Sequence, residues 1–287
     1  MIYFMRQIAF FCFIVLLVAS CQKDSITPAP NPNVSVSYDN VEYGGNAQQK
    51  MDIFLPAQRS VTTTKTIVVI HGGTWTTGDK SEMKYVVDSL KVRLPDYAFV
   101  NLNYRLAVSN SANLFPTQEE DIKTAIGFYL SKSSEYSTSK NIIVLGGSAG
   151  AHLAMLHSYK NDPDKHVKAV VDFFGPVDLV AEWNEGLVAQ YVLLSVTGKT
   201  YPADPGIYTQ SSPVNFITAQ SPPTIAFQGG MDNIVIPQQT NLLIAKLNTS
   251  GVANQMFLYP TEGHGFSTAT NSDAIDKILI FISKNVQ

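Results

Sequence analysis

Short apolar runs alternate with amphipathic segments along the chain from about residue 36. Each run is rich in β-branched or aromatic residues and is bounded by polar or turn-forming residues, which is typical of a buried strand. The pattern predicts strands at residues 34–38, 51–55, 66–70, 98–104, 142–145, 169–174, 224–227 and 255–259.

The segments between these strands carry apolar residues at helical spacing, which predicts helices over 81–94, 119–131, 237–247 and 273–284, with another after residue 148. The apolar stripe predicted for the first helix consists of Met83, Val86, Val87, Leu90 and Val92. Two early strands followed by a regular strand–helix alternation indicate an α/β fold. We expect one domain over 36–287, with a mostly parallel eight-stranded sheet and helices on both faces.

One segment, 179–222, breaks the alternation. It is rich in turn-forming residues and also contains several aromatic residues, namely Trp183, Tyr191, Tyr201, Tyr208 and Phe216. We expect a small, lid-like insertion of helical and irregular structure over the active site, supplying part of a substrate pocket. Most of its aromatic side chains are expected to pack the insertion against the body of the domain.

A strand, a sharp turn and a helix are predicted where Gly146-Gly147-Ser148-Ala149-Gly150 follows the run at 142–145. This is the G-x-S-x-G pattern of a nucleophile elbow, in which small flanking residues let the backbone bend and expose the serine hydroxyl. Ser148 is therefore the candidate nucleophile.

A second glycine-containing turn, His71-Gly72-Gly73-Thr74-Trp75, follows the strand at 66–70. Backbone N–H groups stabilise the oxyanion of a tetrahedral intermediate best where no bulky side chain blocks them. Gly72 and Gly73 are candidate donors, and the N–H of Ala149, directly after the nucleophile, is the third. We expect His71 to shape this loop.

A serine nucleophile needs a base. Of the five histidines, only His264 lies well after the elbow, in a glycine-flanked loop just past the strand at 255–259. We therefore predict that His264 is the base. His152, four residues after Ser148, is expected to pack under the site, and His157 and His166 are expected at the surface.

The orienting acid has two candidates. Asp232 follows the strand at 224–227 and two glycines, which would place its carboxylate on a loop beside that of His264. The runner-up is Asp178, which follows the strand at 169–174 and would otherwise cap a helix beginning near residue 179. With Asp232, the catalytic residues occur in the order Ser, Asp, His, and each follows a strand, where open α/β sheets bind ligands.

Composition excludes several other functions. A net charge of −3 and the lack of any Lys/Arg cluster argue against nucleic-acid binding. The sequence contains no C-x-x-C, no H-E-x-x-H and no phosphate-binding glycine loop, so no metal or nucleotide cofactor is expected.

The N-terminus is predicted to be a lipoprotein signal peptide, residues 1–20. Arg6 precedes an apolar run over 8–19 that is too short to span a bilayer comfortably. Val18-Ala19-Ser20-Cys21 resembles the lipobox of bacterial lipoproteins, in which Cys21 would become the acylated first residue. The other cysteine, Cys12, lies in the removed segment, so no disulfide is expected. An ordinary cleaved signal is the alternative.

A polar segment rich in Pro and Asn follows Cys21, and we expect residues 21–35 to be a flexible tether. The protein would thus be exported and attached to a bacterial membrane by lipid, facing the periplasm or the cell exterior. The sequence leaves open which membrane, and the oligomeric state as well.

Taken together, these residues resemble the α/β-hydrolase esterases of the carboxylesterase and hormone-sensitive-lipase-like group, over nearly all of the chain after the tether. The resemblance rests on the His71–Trp75 loop, Asn103-Tyr104-Arg105-Leu106, the elbow, Ser212-Pro213, Pro222-Pro223, Asp232 and His264. It implies that Ser148 is nucleophile, His264 base and Asp232 acid, with oxyanion donors at Gly72, Gly73 and Ala149. Because no cap precedes the oxyanion loop, the chain looks closest to compact bacterial acetyl-xylan and feruloyl esterases.

The implied function is hydrolysis of short-acyl or aryl esters of carbohydrates through an acyl-enzyme, with a small ester or acylated saccharide as substrate. An arylformamidase-like enzyme and a general carboxylesterase or lipase are alternatives. Thr74 in place of a third oxyanion-loop glycine argues against activity on tertiary-alcohol esters. A catalytically silent glycan-binding lipoprotein is the non-enzymatic alternative, and a peptidase of this fold would need a propeller or large lid.

Overall fold

The central feature is a twisted sheet, seen in a computed structural model that describes residues 29–286. Within that range eight strands pair in the order β1-β2-β4-β3-β5-β6-β7-β8. Strand β2 is antiparallel to both its neighbours, and the strands from β4 to β8 run parallel. Their bounds are β1 Val36–Glu42, β2 Lys50–Leu55, β3 Thr66–Ile70, β4 Ala98–Leu102, β5 Ile142–Gly147, β6 Val167–Phe173, β7 Thr224–Gly229 and β8 Asn254–Tyr259.

Both faces of the central strands are buried, which explains why these strands read as continuous apolar runs. In β3, Val68 and Ile70 contribute to the core on one face, whereas Ile67 and Val69 contribute to the core on the other. The first core is covered by helices α2 Thr117–Ser131, α4 Ala149–Lys160 and α8 Pro237–Thr249, and the second by α1 Lys84–Arg93 and α9 Thr268–Asn285. The predicted α/β class, eight-stranded sheet and two helical layers are confirmed.

The segment that breaks the alternation is mainly helical. It contains α5 Leu179–Trp183, α6 Leu187–Thr197, α7 Pro205–Gln210 and a 3₁₀ turn, Pro213–Phe216. Tyr208 is fully buried and meets the rings of Trp183 and Tyr201 edge-on, so these three aromatics pack against one another within the insertion. The remaining elements are the short helix α3 Ser133–Tyr136 and a 3₁₀ turn, Lys80–Met83, directly before α1.

Several predicted boundaries and positions are wrong. Strand β1 runs to Glu42 through a bulge at Asn40, where polar residues give no apolar signal. Helix α9 begins five residues before the predicted start, because the Ser267 hydroxyl accepts the N–H of Thr270 and caps a polar first turn. Val92 lies outside the apolar stripe of α1 and is 81 % exposed.

The expected surface position of His157 is also wrong, since its side chain is buried with 6 % exposure. The reason is that almost all of α4 is enclosed, by β5 and β6 on one side and by α2 and the 3₁₀ turn of the insertion elsewhere. A helix that is buried on nearly all sides has no amphipathic pattern, so its sequence does not indicate whether one histidine is buried.

The predicted signal peptide, Cys21 and the tether up to residue 28 lie outside the described residues. The end of the predicted tether is held against the domain by Arg59. Its guanidinium donates hydrogen bonds to the carbonyl oxygens of Pro30 and Val34 at 2.9 and 2.7 Å, and to that of Tyr136 at 2.8 Å. In the described part of the chain no helix has the length and apolar character that a membrane span requires.

Candidate active site

The turn between β5 and α4 places Ser148 at its apex. Ser148 has φ 53° and ψ −123°, a conformation that costs free energy in a non-glycine residue, and its N–H donates to the carbonyl oxygen of Phe173 at 2.8 Å. The helix begins at the next residue, Ala149. This strained strand–turn–helix geometry is that of a nucleophile elbow.

Close backbone contacts explain the two outer glycines of the motif. A Cβ atom at Gly146 would lie 2.3 Å from the carbonyl carbon and oxygen of Gly150. A Cβ atom at Gly150 would lie 2.3 Å from the carbonyl oxygen of Ile70 in β3. The elbow therefore requires glycine at both positions because backbone packs directly on backbone.

The structure brings Ser148, His264 and Asp232 together although they are far apart in sequence. Nε2 of His264 lies 2.9 Å from Oγ of Ser148, and its Nδ1 lies 2.8 Å from Oδ2 of Asp232. An ionised carboxylate only accepts hydrogen bonds, so Nδ1 carries the proton and Nε2 is free to accept that of the serine hydroxyl. This arrangement is what a nucleophile, a base and an orienting acid require.

Hydrogen bonds keep the Asp232 carboxylate ionised and in place. Burial raises the pKa of this carboxyl, but hydrogen bonds from His264 and from the N–H groups of Ile234 and Val235 outweigh burial and hold the pKa below its ordinary value. The buried amide of Gln228 also donates to Oδ2, at 3.2 Å. Gln228, which the motif analysis did not identify, therefore helps to orient the acid.

Asp178 is not part of this chain of hydrogen bonds. Its Oδ1 accepts the N–H groups of Val180 and Ala181, both at 3.0 Å, and so caps helix α5. This is the structural role expected of Asp178 if Asp232 orients the histidine.

Three backbone N–H groups are available beside Ser148. Ala149 is the first residue of α4, so its N–H has no acceptor within the helix and lies at the positive end of the helix dipole. Gly72 and Gly73 follow β3, and Gly73 has φ +100°, which favours glycine. Within residues 29–286, none of these three N–H groups donates a backbone or side-chain hydrogen bond. They are therefore free to donate to a negatively charged oxygen next to Ser148.

His71 supports the loop that carries these glycines. Its buried ring stacks on that of Tyr104 with 4.4 Å between centroids, and its Nδ1 donates to the carbonyl oxygen of Gly72 at 2.8 Å. The hydroxyl of Tyr104 is 3.1 Å from the same oxygen. Burial lowers the pKa of His71, so its ring is neutral and shapes the loop without adding charge.

His152 packs under the site, as predicted, and also connects parts of it. Its Nε2 lies 2.7 Å from the carbonyl oxygen of Ser211 in the insertion, and its Nδ1 accepts the indole N–H of Trp75 at 3.2 Å. Burial lowers its pKa to about 4, so the ring is neutral at physiological pH. The role of Trp75 was not predicted, because its partner lies 77 residues away in sequence.

Among residues 29–286, two cavities adjoin Ser148. The larger has a volume of about 450 Å³ and is lined by His264 together with Phe173, Phe174, Phe266, Met83 and Val86. The smaller has a volume of about 40 Å³ and is lined by Ala149, by Glu182 of α5 and by side chains of α6. The insertion thus supplies one wall of the small cavity. Within the described residues, no group of His, Cys, Asp and Glu side chains is arranged to hold a metal ion.

The chain is similar to solved structures of esterases. A truncated carbohydrate esterase from gut microbiota is 24 % identical with a TM-score of 0.72, and the match covers 91 % of this chain and all of that one. An acetyl ester-xyloside bifunctional hydrolase from Caldicellulosiruptor lactoaceticus is 20 % identical with a TM-score of 0.67, covering 82 % and 88 % of the two chains. At these identities the likeness establishes the shared α/β-hydrolase fold.

Curated sequences give a related result. Esterase LipQ of Mycobacterium tuberculosis is 26 % identical over 261 residues, which cover 84 % of this chain and 60 % of LipQ. The chain spans about three fifths of the length of the first curated relatives it matches. The family model of BD-FAE matches residues 51–247, well over half of the chain. The predicted resemblance to α/β-hydrolase esterases is confirmed, and the chain belongs to the BD-FAE family.

Proposed function

We propose that the protein is a serine esterase that hydrolyses carboxylic esters through an acyl-enzyme on Ser148. The observation that carries this proposal is the continuous hydrogen-bonded relay from Ser148 through His264 to Asp232, next to free backbone donors. The family and the names of the curated relatives, which are esterases, support the same reaction class.

In the first step, Nε2 of His264 takes the proton of the Ser148 hydroxyl while Oγ attacks the ester carbonyl carbon. The negative charge that develops on the carbonyl oxygen is held by the N–H groups of Ala149 and of Gly72 or Gly73. When the tetrahedral intermediate collapses, protonated His264 gives its proton to the departing alcohol oxygen and the acyl group stays on Oγ. Water then attacks the acyl-enzyme with His264 again as base, which releases the acid and restores the serine.

The two cavities suggest how an ester would lie in the site. His264 must reach the leaving oxygen, so the alcohol belongs in the cavity that His264 lines, and the acyl group belongs in the other. A volume of about 450 Å³ is typical of a site for a small organic molecule and suits a sugar unit. A cavity of about 40 Å³ suits a small group of atoms, since roughly 10–15 Å³ of cavity is needed to hold one water.

We therefore propose short-acyl esters of carbohydrates as substrates, and acetyl esters rather than feruloyl esters. Two solved structures with this fold, a carbohydrate esterase and an acetyl ester-xyloside hydrolase, are named for activity on sugar esters, which agrees with a sugar alcohol. An aryl acyl group would exceed the smaller cavity, which argues against the feruloyl alternative within the same family resemblance.

The test compares hydrolysis of p-nitrophenyl acetate and p-nitrophenyl butyrate by the wild-type protein and by Ser148→Ala. We expect the substitution to lower kcat by roughly a millionfold, toward background, and the wild type to prefer acetate by roughly tenfold or more. Ser158→Ala is the matched control, because the hydroxyl of Ser158 in α4 donates to the carbonyl oxygen of Ala154 and its loss should leave turnover unchanged. Equal trace activity in wild type and Ser148→Ala would favour the catalytically silent binder instead.

We also propose that the protein is exported and anchored through an acylated Cys21. The support is the charged residue Arg6, the apolar run at 8–19 and the small residues before Cys21. Expression in a bacterium fed an alkyne fatty acid should label the wild-type protein and not Cys21→Ser. Equal labelling of both proteins, or of neither, would contradict the anchor.

A further inference from the structure

The carboxyl group of Glu182 is buried without a hydrogen-bonding partner. Glu182 lies in α5 and is 5 % exposed, and its Oε2 is fully enclosed. Among residues 29–286, no side chain or backbone N–H donates to either of its oxygens, and no Lys, Arg or His forms an ion pair with it. A buried polar group of this kind normally costs stability, so its presence calls for a role.

The surroundings of Glu182 favour its neutral form. Burial is the main cause that raises the pKa of Glu182, which is about 8. The nearby carboxylates of Glu185 and Asp232 act in the same direction. The titratable side chains on the other insertion helices packed against α5 are tyrosines, Tyr191 in α6 and Tyr208 in α7. Glu182 is therefore a carboxylic acid at neutral pH, with one O–H donor and a carbonyl acceptor.

The location of this group connects it with the reaction. Glu182 lines the small cavity together with Ser148 and Ala149. Apart from Thr74 and the nucleophile, the other side chains around that cavity are apolar or aromatic and include Pro176, Val188 and Val192. Because Ser148 and Glu182 line the same cavity of about 40 Å³, an acyl group on Ser148 that enters this cavity would lie close to the Glu182 carboxyl.

We propose that Glu182 is a specificity-determining residue that hydrogen-bonds a hydroxyl group on the second carbon of the acyl chain. The substrates would then be short 2-hydroxyacyl esters, of the glycolyl or lactyl type, in preference to apolar acyl groups of the same size. A hydroxyl both donates and accepts, which matches the two functions of a neutral carboxylic acid. This inference rests on the proposed esterase function and on the placement of the acyl group in the small cavity.

The experiment uses two methyl esters of nearly equal size, methyl glycolate and methyl propionate, which differ by a hydroxyl in place of a methyl group. Their kcat/KM values are measured with a pH-stat at pH 7 for wild type, Glu182→Leu and Glu182→Gln. We expect the glycolate-to-propionate ratio to fall roughly 10- to 100-fold in Glu182→Leu, the effect of losing one buried hydrogen bond. Glu182→Gln keeps a donor and an acceptor and should retain most of the ratio. Taking ratios between variants removes the difference in intrinsic reactivity of the two esters.

An unchanged ratio in Glu182→Leu would overturn the proposal. The Leu variant should also melt at a higher temperature, because it removes an unpaired buried carboxyl. If it does not fold, Glu182→Met, with an unbranched side chain, serves for the same comparison. Hydrolysis of p-nitrophenyl acetate distinguishes failure of the esterase proposal from failure of the Glu182 proposal. If the wild type does not hydrolyse this ester, the esterase function is refuted. If it does, but the glycolate-to-propionate ratio is unchanged in Glu182→Leu, only the role of Glu182 is refuted.

Discussion

Trp75 donates its indole N–H to Nδ1 of His152, and this hydrogen bond joins the oxyanion loop to α4, the helix that begins directly after the nucleophile. The rings meet edge-on with 5.0 Å between centroids. The other nitrogen of His152 must carry the proton, because it faces the carbonyl oxygen of Ser211 at 2.7 Å. The tautomer is thereby fixed, and the oxyanion loop, the elbow helix and the insertion are held in one arrangement.

The first prediction concerns this connection. Replacing His152 by Leu leaves the Trp75 N–H and the Ser211 carbonyl without partners, so the oxyanion loop should shift. We expect kcat for p-nitrophenyl acetate to fall by roughly 10- to 100-fold with a smaller change in KM, because the loop stabilises charge that develops only in the transition state. His157→Leu is the control, as His157 is buried in the same helix and its Nδ1 has no hydrogen-bond partner among residues 29–286. Equal effects of the two substitutions on kcat would contradict a positioning role.

The second prediction separates two adjacent glycines of the elbow. Gly146→Ala should abolish activity and destabilise the fold, because its Cβ would lie 2.3 Å from the backbone of Gly150. A Cβ at Gly147 would make an ordinary van der Waals contact with a ring carbon of Phe174, at 3.9 Å. We expect Gly147→Ala to fold and to retain substantial activity. Thermal unfolding and p-nitrophenyl acetate hydrolysis of both variants are the measurements, and inactive, unfolded Gly147→Ala would contradict the explanation.

The third prediction separates the two acid candidates. Asp232→Asn should lower kcat by roughly 10⁴-fold, because an amide no longer fixes the tautomer and charge of His264. Asp178→Asn keeps a side-chain oxygen that can cap α5, so activity and stability should change little. The measurement is kcat of the two variants under identical conditions. A larger fall in kcat for Asp178→Asn than for Asp232→Asn would indicate that Asp178 is the orienting acid.

The fourth prediction concerns stability in acid. Burial, partly opposed by Asp162, lowers the pKa of His157 to about 4, whereas an unfolded chain has its histidine pKa near 6.5. Between these values the unfolded state binds more protons, so the stability contributed above pH 6.5 is lost as the pH falls toward 4. His157→Leu should therefore lose less stability than the wild type between pH 7 and pH 4.5, by roughly 2–3 kcal/mol.

Urea unfolding at the two pH values measures this difference. His152, whose pKa is lowered to about 4 for the same reason, remains in the variant and should preserve part of the acid sensitivity. Parallel pH dependence of wild type and His157→Leu would show that His157 is not buried in its neutral form.

The elements and site residues that can be predicted from the sequence are those indicated by residues that are neighbours along the chain. Strand β3 was located to the residue because it is apolar, buried on both faces and bounded by turns. Ser148 and Gly72 can be proposed as site residues from the sequence because the turn motifs that contain them consist of consecutive residues. Each of these inferences uses only neighbours along the chain.

The remainder depends on contacts that sequence spacing does not encode. The pairing of Trp75 with His152 and of Gln228 with Asp232 follows from how loops meet at the sheet edge. The burial of His157 follows from the enclosure of α4 by the insertion and α2. The unpaired carboxyl of Glu182 gave no local signal either, since a glutamate in a short helix is expected at the surface.

The central claim, that Ser148 is the nucleophile activated by His264, is tested most directly by covalent labelling. The wild type, Ser148→Ala and His264→Ala are each treated with a serine-directed alkyl phosphonate, and intact mass and peptide mapping locate the adduct. We predict one adduct per wild-type chain, on Ser148, no adduct in Ser148→Ala, and labelling slowed by several orders of magnitude in His264→Ala. An adduct on another residue, or labelling of Ser148→Ala at the wild-type rate, would contradict the account.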